Sequence, residues 1–315
     1  MARRALGPAT LAVVQAVDTL APAPWLVACS GGADSLALAW AAHHVATKRG
    51  TPVRALVVDH GMQPDSDAVA ASTAEGLASF GLAAEVVRVD VVDSGAGPEA
   101  SAREARYAAL AAAVRDGERV LLGHTLDDQA ETVLLGLARG SGVRSLAGMP
   151  ASRGIFDRPL LELGRAVTVA ACAELGLAPW VDPMNADRRF ARVRVREVVL
   201  PVLEQELGPG VREALARTAA LSREAADLVD GLVGEAGDPT DCLHLLGLAP
   251  GLRRRLLVEW LAGAGASDVS ATHVDAVERL VTHWRGQKGV DVPGGRVVRR
   301  DGRLHFVDRR DSWGR

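Results

Sequence analysis

The chain has 315 residues, of which 48% are hydrophobic and 24% are charged, and its formal net charge is −3. This balance is typical of soluble globular proteins, the length favours two domains, and the charge disfavours a chain that is basic throughout. Three widely spaced cysteines, Cys29, Cys172 and Cys242, include no C-x-x-C pair, which excludes a disulfide framework, a zinc ribbon and a redox dithiol. Because the sequence has no recognisable secretory signal or membrane span, we expect a cytoplasmic protein.

The first part of the chain alternates short, β-branched apolar runs with helical patterns, which predicts an α/β fold. Strands are predicted at 25–29, 53–58, 84–89 and 119–123, and helices at about 34–48, 66–80, 98–115 and 127–139. Such alternation indicates a parallel sheet with helices on both faces. Ligands in these folds bind beyond the carboxyl ends of the strands, where loops meet helix N-termini.

The pattern changes in the last third of the chain. Residues 204–234 read as helix interrupted near 208–210, and two more helices are predicted at 251–262 and 270–284. Short strands are predicted within 288–307, with turns at Gly294-Gly295 and Asp301-Gly302. We therefore expect a catalytic domain over 1–205 and a mainly helical C-terminal domain over 206–315 that ends in short strands.

The segment Ser30-Gly31-Gly32-Ala33-Asp34-Ser35 follows the first predicted strand and opens a helix. Its glycines let backbone amides approach an anion, the helix N-terminus supplies free N–H groups, and Ser30 and Ser35 add hydroxyl donors. Asp34 could cap the helix or help to hold a cation beside a nucleotide. On the residues alone, a tight strand-to-helix turn with a capping aspartate stays open. Neither a Walker A string nor a Rossmann glycine pattern occurs here.

This segment resembles the S-G-G-x-D-S signature of the PP-loop enzymes, or N-type ATP pyrophosphatases. Further segments resemble one family within them, the tRNA(Ile)-lysidine synthetases, in order and spacing from about residue 25 to 205. They are Val58-Asp59-His60-Gly61-Met62-Gln63-Pro64, Ala102-Arg103-Glu104-Ala105-Arg106-Tyr107, Gly123-His124-Thr125-Leu126-Asp127-Asp128-Gln129-Ala130-Glu131-Thr132, and a stretch from Arg158-Pro159-Leu160-Leu161 through Trp180-Val181-Asp182-Pro183-Met184-Asn185 to an arginine cluster.

The resemblance implies a specific reaction. ATP adenylates the 2-carbonyl oxygen of the wobble cytidine in the CAU anticodon of an isoleucine tRNA, and the side-chain amine of free lysine then displaces AMP. The product, lysidine, pairs with A, so the codon read changes from AUG to AUA. ATP and magnesium are the expected cofactors, and the tRNA and lysine are the expected partners.

Three carboxylates open the helix after the last strand. Asp127 and Glu131 are four residues apart and Asp128 and Glu131 three apart, so these side chains share a neighbourhood. They could hold magnesium or orient a lysine ammonium, and which does which is open. A solvated first helical turn is the alternative. We expect Asp34, His124, Asp128 and Glu131 to be catalytic, and Asp34, Asp127 and Glu131 to bind metal.

Other residues are expected to contact ATP beside the loop Ser30–Ser35. His60 and His124 follow strands, and either could contact the nucleotide or be structural, while His124 could also shuttle a proton. Arg103 and Arg106 share one helical face and could neutralise phosphates, or form a solvated basic face.

An arginine cluster is expected to bind tRNA. It comprises Arg188, Arg189, Arg192, Arg194 and Arg196. Arg192 and Arg196 form a helical stripe, and such like charges repel unless a polyanion lies across them. Where the family usually has an asparagine, Val193 stands here. A second group of arginines lies in the tail, at 296, 299, 300, 303, 309, 310 and 315.

Two other functions stay open. A PP-loop tRNA thiolase would also adenylate a base, but it needs cysteines to carry sulfur or an iron–sulfur cluster. A non-catalytic ATP-binding module would leave the carboxylates and arginines without a role. The sequence fixes neither the oligomeric state, for which a homodimer stays open, nor how the elongator methionine tRNA is rejected.

Overall fold

A computed structural model describes residues 5–61, 65–91, 97–140 and 142–309. Met62, Gln63, Pro64 and the arginines at 310 and 315 lie outside the described residues. The chain divides into two compact units, Met1–Arg223 and Glu224–Arg315. Within the described ranges no helix is both long and apolar enough to cross a membrane. All three cysteines are free and buried.

The first unit contains a parallel sheet, as predicted. Its strands in the described part of the chain are β1 Trp25–Ala28, β2 Val53–Asp59, β3 Ala84–Arg88, β4 Arg119–Leu121, β5 Ser152–Arg153 and β6 Phe156–Asp157. The spatial order is β3-β2-β1-β4-β6-β5, and only β5 runs antiparallel to its neighbour. The chain leaves β1 toward one edge and returns at β4 on the other side, so the strand order reverses between β1 and β4.

Helices surround this sheet and continue beyond it. They are α1 Pro8–Asp18, α2 Ala33–Arg49, α3 Ser66–Ser79, α4 Pro98–Ala113, α5 Leu126–Ala138, α6 Val143–Leu146, α7 Arg165–Leu175, α8 Ala191–Arg194, α9 Leu200–Leu207 and α10 Val211–Glu235. A 3₁₀ turn covers Pro183–Ala186, and a π-helical segment, Val195–Val199, joins α8 to α9. The predicted break near 208–210 separates α9 from α10, with Gly208 and Gly210 at positive φ.

Alternating residues of the strands supply two cores, because successive side chains point to opposite faces of a sheet. Trp25 and Val27 of β1 belong to the cluster that buries α1, α2 and α7. Leu26 of β1 and Leu56 of β2 belong to the opposite cluster, which contains Leu110 of α4. The prediction of helices on both faces is thereby confirmed.

The second unit is helical and ends in a small antiparallel sheet, as predicted. Its further elements are α11 Cys242–Gly247, α12 Pro250–Gly263, α13 Ala271–Thr282, β7 Val290–Val292, β8 Gly295–Arg300 and β9 Arg303–Asp308. A two-residue turn joins β8 to β9, and Asp301 and Gly302 both have positive φ there, at 49° and 77°. That combination is the hairpin turn typical of aspartate followed by glycine.

The two units divide later than the predicted boundary near residue 205. The start of α10 packs within the first unit: Arg212 Nε lies 3.2 Å from Asp127 Oδ1, and Ala219 is fully buried. Arg223 donates to the carbonyl oxygens of Ala147 and Gly148. The division between the two units falls inside helix α10, so no change of composition marks it in the sequence.

Candidate active site

A cavity of about 750 Å³ opens at the carboxyl edge of the parallel sheet. Its walls come from the loops that follow β1, β2 and β4, from the start of α7, and from the stretch before the 3₁₀ turn. The strand order reverses between β1 and β4, and open α/β sheets bind ligands at that point. Most of the predicted site residues line this cavity, including Ser30, Asp34, His60, Arg106, His124 and Asp128.

Internal contacts fix the shape of the loop after β1. The Ser35 hydroxyl donates to the Gly32 carbonyl at 2.9 Å and accepts from the Ser30 N–H at 3.1 Å. Gly31 has φ +82°, and a Cβ there would lie 2.6 Å from Thr73 Oγ1. Its carbonyl also accepts a hydrogen bond from the Trp180 N–H at 3.0 Å. Ser35 therefore holds the loop together, whereas Ser30 is exposed.

No side chain caps the N-terminus of α2. Gly32 is the N-cap residue, and the first helical hydrogen bond runs from the Leu36 N–H to its carbonyl at 3.0 Å. The Asp34 carboxylate instead accepts from Arg165 Nε at 3.1 Å and from the Thr168 hydroxyl. The capping role considered for Asp34 is therefore wrong, and the first-turn N–H groups and the helix dipole remain suited to an anion.

Gly123 lets the end of β4 approach this loop closely. A Cβ on Gly123 would lie 3.1 Å from the backbone carbonyl of Asp34 and 3.2 Å from the Cα of Ser35. These are backbone atoms, so neither can swing aside. The phosphate loop and the acidic helix α5 thus sit side by side because residue 123 has no side chain.

Arg165, at the first position of α7, bridges the acidic residues around the cavity. Its guanidinium lies 3.1 Å from Asp34 Oδ2, 3.0 Å from Asp128 Oδ1 and 4.0 Å from Glu131 Oε1, and its backbone N–H donates to Asp127 Oδ2 at 2.7 Å. Sequence reasoning missed this residue. The one local signal in the sequence is an arginine in the first turn of a helix, where the positive end of the helix dipole disfavours a positive charge.

Asp128 and Glu131 are held by further contacts. Asp128 accepts from the Thr125 backbone N–H at 2.9 Å, which closes the start of α5. Burial alone would raise the pKa of its carboxyl, but Arg165, the Thr125 N–H and other positive charges outweigh burial and lower it. Glu131 is fully buried and forms two bonds with Arg196, at 2.6 and 3.1 Å. Burial raises its pKa, and Arg196 opposes that rise.

The prediction that Asp34, Asp127 and Glu131 bind a metal is not supported by this geometry. Among the described residues, no group of three or more His, Cys, Asp or Glu side chains is arranged to hold a metal ion. Asp34 contacts Arg165, Asp127 contacts Arg212, and Glu131 contacts Arg196. Each of these carboxylates is thus paired with an arginine.

Buried polar atoms around the cavity lack partners. His60 Nδ1, His124 Nδ1 and Arg106 Nε are buried, and none has a hydrogen-bond partner among the described residues. Unpartnered buried polar atoms are costly, so their convergence on one cavity indicates a polar ligand. The described residues therefore fit a nucleotide in this cavity.

The surroundings of His124 disfavour the charged form of its imidazole. Burial, reinforced by the charges of Arg106, Arg158 and Arg103 and opposed by Asp128, lowers the pKa of its imidazole to about 3. Burial and Arg106 also lower the pKa of His60. A neutral imidazole donates or accepts hydrogen bonds, which favours a contact to the ligand over proton transfer for His124.

Arg103 does not line the cavity, although its helical neighbour Arg106 does. Its Nη2 donates to the Tyr107 hydroxyl at 3.2 Å, and its guanidinium lies over the Tyr107 ring. The lining of the cavity therefore does not support the predicted contact of Arg103 with ATP. Positions three apart on a helix are offset by about 60° around its axis, enough for the two side chains to enter different pockets.

The arginine cluster is largely neutralised within the first unit. Arg192 contacts Glu131 at 3.1 Å and donates to the Thr132 hydroxyl at 2.7 Å, while Arg196 binds Glu131. Exposed Arg189 pairs with Asp187 at 2.7 Å. Arg194 donates to the backbone carbonyls of Arg188 and Arg189. The argument that these charges need a polyanion therefore fails for Arg192 and Arg196, and tRNA contact by the exposed Arg188 and Arg189 stays a prediction.

Comparisons with known proteins agree with this architecture. A family model described as a PP-loop domain matches residues 10–203, and one described as the TilS substrate binding domain matches residues 241–305. A tRNA(Ile)-lysidine synthase from Salinispora arenicola is 52% identical over 317 residues, which cover 94% of this chain and 95% of that protein. The chain belongs to the tRNA(Ile)-lysidine synthase family. The resemblance inferred from the motifs is thereby confirmed.

Further relatives of the tRNA(Ile)-lysidine synthase family point the same way. One from Mycolicibacterium paratuberculosis is 54% identical over 293 residues, covering 89% of each chain. Among solved structures, a U34-tRNA thiolase from Methanococcus maripaludis with its 4Fe–4S cluster superposes with a TM-score of 0.52 at 18% identity. The match covers 67% of this chain and 78% of the thiolase, and it supports the fold alone.

The substitution Gly123→Ala tests the close approach of β4 to the phosphate loop. The added methyl group meets backbone, so we expect the loop to shift, ATP affinity to fall at least about tenfold, and stability to fall by about 1–3 kcal/mol. Calorimetric titration with ATP and denaturant unfolding measure the two effects. Gly76→Ala is the matched control, since a Cβ on Gly76 of α3 meets nothing within 4 Å. Equal ATP affinity in both variants would contradict the argument.

A second prediction concerns pH. His124 has a pKa of about 3 when folded and about 6.5 when unfolded, so only the unfolded chain gains its proton as pH falls. Above about pH 6.5 this difference in pKa therefore costs no stability. As pH falls from about 6.5 toward 3, it lowers the free energy of unfolding by no more than about 1.4 kcal/mol per pH unit. We expect His124→Asn to flatten the pH dependence of the free energy of unfolding between about pH 6.5 and 4. Parallel curves for wild type and variant would show that His124 is not held neutral.

Proposed function

We propose that this chain joins lysine to the 2-carbon of the wobble cytidine in the CAU-anticodon isoleucine tRNA, at the expense of ATP. The observation that carries the proposal is one cavity bounded by an uncapped helix N-terminus and by a cluster of carboxylates and arginines. The first feature suits a triphosphate, and the second suits an amino acid. The relatives named tRNA(Ile)-lysidine synthase support the same assignment.

In the first step, the 2-carbonyl oxygen of the cytidine attacks the α-phosphorus of ATP. A bond forms between that oxygen and phosphorus, the bond from the α-phosphorus to the bridging oxygen breaks, and pyrophosphate leaves. The loop Ser30–Ser35 binds the departing phosphates through its backbone N–H groups, and Arg106 faces the same cavity as a further positive charge. His60 and His124 hold the nucleotide by hydrogen bonds as neutral rings.

In the second step, the neutral side-chain amine of lysine attacks the activated 2-carbon, and AMP leaves with the oxygen. The cluster of carboxylates and arginines suits the α-ammonium and α-carboxylate of lysine, because it contains equal numbers of negative and positive groups. Four carboxylates face four guanidiniums: Asp34, Asp127, Asp128 and Glu131 against Arg165, Arg192, Arg196 and Arg212. Asp34, Asp128, Arg165 and Arg196 of this set line the cavity, and they are complementary to a zwitterion, with an aspartate on the α-ammonium and an arginine on the α-carboxylate.

Magnesium accompanies the triphosphate in this proposal, since Mg²⁺ is commonly held by substrate phosphates with one or two carboxylates. Asp34 lies at the phosphate loop and is the carboxylate nearest to that role. No step is assigned to the ion. We place the reaction in the cytoplasm, with the second unit contacting the tRNA outside the anticodon. The lining residues all come from the first unit.

The decisive experiment measures AMP release from ATP with lysine and tRNA added singly and together. We expect turnover only when both are present, and lysidine in the recovered tRNA. Asp34→Ala should abolish AMP formation in a folded protein, because Arg165 then loses its partner at the phosphate loop. A sulfur donor replacing lysine would indicate a thiolase, and ATP binding without turnover would indicate a binding module; either result overturns the proposal.

A further prediction separates the two steps. Asp128→Asn keeps an oxygen that can accept from the Thr125 N–H but loses the charge that would face the lysine α-ammonium. We expect adenylated tRNA to accumulate in single-turnover reactions with labelled ATP, and the KM for lysine to rise at least about tenfold. Glu118→Gln is the control, since Glu118 pairs with Arg54 at 2.7 Å and does not line the cavity. Loss of adenylation in Asp128→Asn would assign Asp128 to ATP instead.

A further inference from the structure

A second pocket, of about 700 Å³, lies in the first unit between α4 and the β5–β6 turn. We call it the α4 groove. Its side chains combine three arginines with two aromatic rings and one carboxylate: Arg103, Arg153, Arg158, Tyr107, Phe156 and Glu104. Neither the sequence motifs nor the proposed reaction assigns it a role.

The floor of the groove is an ordered stack of rings and guanidiniums. The Tyr107 and Phe156 rings meet edge to face with centroids 5.0 Å apart, and the Arg103 guanidinium lies 4.9 Å from the Tyr107 centroid. The Tyr107 hydroxyl accepts from Arg103 and from Arg158, each at 3.2 Å. It therefore holds two cations side by side. Aromatic rings with stacked arginines are the surfaces on which proteins bind unpaired RNA bases.

Among the described residues, the three arginines of the groove have Glu104 as the one carboxylate in the lining. Arg158 is only 6% exposed, and its guanidinium donates to the Pro150 carbonyl and the Tyr107 hydroxyl, both neutral groups. Its Nε is buried without a partner, and none of Arg103, Arg153 and Arg158 forms an ion pair with another described residue. A buried guanidinium without a counter-charge is costly. An anionic group in the groove would supply that counter-charge.

The groove adjoins the candidate active site. The two share helix α4, on which Arg106 lines the active-site cavity while Arg103 and Tyr107 line the groove. The Arg106 guanidinium lies 5.7 Å from the Tyr107 centroid, so side chains that line the two pockets are close neighbours. A base that enters the active site must leave its stack, and its neighbours in the strand must then lie close to the cavity.

We propose that the α4 groove binds the nucleotide next to the modified base, with its phosphate on Arg153 and Arg158 and its base against the Tyr107–Arg103 stack. The inference rests on the proposed function, because it needs a tRNA in the active site. It deepens that function by naming the surface that holds the strand beside the reacting cytidine. Glu104, at the rim, is the one carboxylate in the lining.

The test compares Arg153→Gln and Arg103→Gln with Arg115→Gln, using an RNA anticodon stem–loop with a CAU loop as the probe. Arg153 is exposed, so its variant should fold. Arg115 is an exposed arginine beyond the far end of α4 and is the matched loss of one charge. Affinity is measured over a salt series, together with the KM for ATP.

We expect each groove variant to weaken stem–loop binding and to reduce the log–log salt slope by about 0.7–0.9, as one lost phosphate contact requires. The KM for ATP should stay at the wild-type value. Tyr107→Phe, which keeps the ring but frees both guanidiniums, should weaken binding with the salt slope nearly unchanged. This last result would distinguish positioning by the hydroxyl from a simple loss of charge.

Two results would contradict the proposal that the α4 groove binds the neighbouring nucleotide. One is affinity and slope in Arg153→Gln and Arg103→Gln equal to those of Arg115→Gln. The other is a raised KM for ATP with unchanged RNA binding, which would make the groove a subsite for free nucleotide. Failure of the proposed function looks different: the wild-type protein itself would not turn over ATP in the presence of lysine and tRNA.

Discussion

One guanidinium, that of Arg165, joins the two loops on which the site depends. It contacts Asp34 after β1 and Asp128 after β4, and its backbone N–H holds Asp127. Without a cation between them, the carboxylates of Asp34 and Asp128 would repel each other across the point where the strand order reverses. The pKa of Asp34 reflects this repulsion, because burial and the charge of Asp128 both raise it while Arg165 lowers it. The phosphate loop and the acidic helix keep their separation because this arginine lies between them.

The sequence predicted the parts of the fold in which one pattern persists over enough residues. Strands β1 to β4 and helices α2 to α5 lie within a few residues of their predicted bounds, because each strand is a short, mainly apolar run and each helix extends over at least 13 residues. Strands β5 and β6 have two residues each, too few for any period to appear. The phosphate loop was predictable because its chemistry is local. Arg165 was not, since its partners Asp128 and Asp34 are 37 and 131 residues away in the chain.

The arginine cluster illustrates the limit of reasoning within one element. Spacing alone places Arg192 and Arg196 on one helical face, but it does not say whether that face meets solvent or protein. In the structure this face contacts α5. There Arg196 binds the buried carboxylate of Glu131, which lies 65 residues earlier in the chain. Buried carboxylates need positive partners, so the acidic helix and the arginine cluster explain each other. Part of the predicted metal site, Glu131, and part of the predicted tRNA surface, Arg192 and Arg196, therefore belong to one network.

That network also bears on how a chain of net charge −3 accommodates a polyanion. Arginines near the carboxylates are already neutralised, so they attract a phosphate backbone weakly. Part of the surplus lies along α4 and the β5–β6 turn, where Arg103, Arg106, Arg153 and Arg158 have no carboxylate partner among the described ion pairs. A field concentrated in one cleft attracts a charged ligand more effectively than the same charge spread over the surface. Within the described part of the first unit, the carboxylates around the cavity thus lie in an ion-paired network, while α4 and the β5–β6 turn carry arginines outside that network.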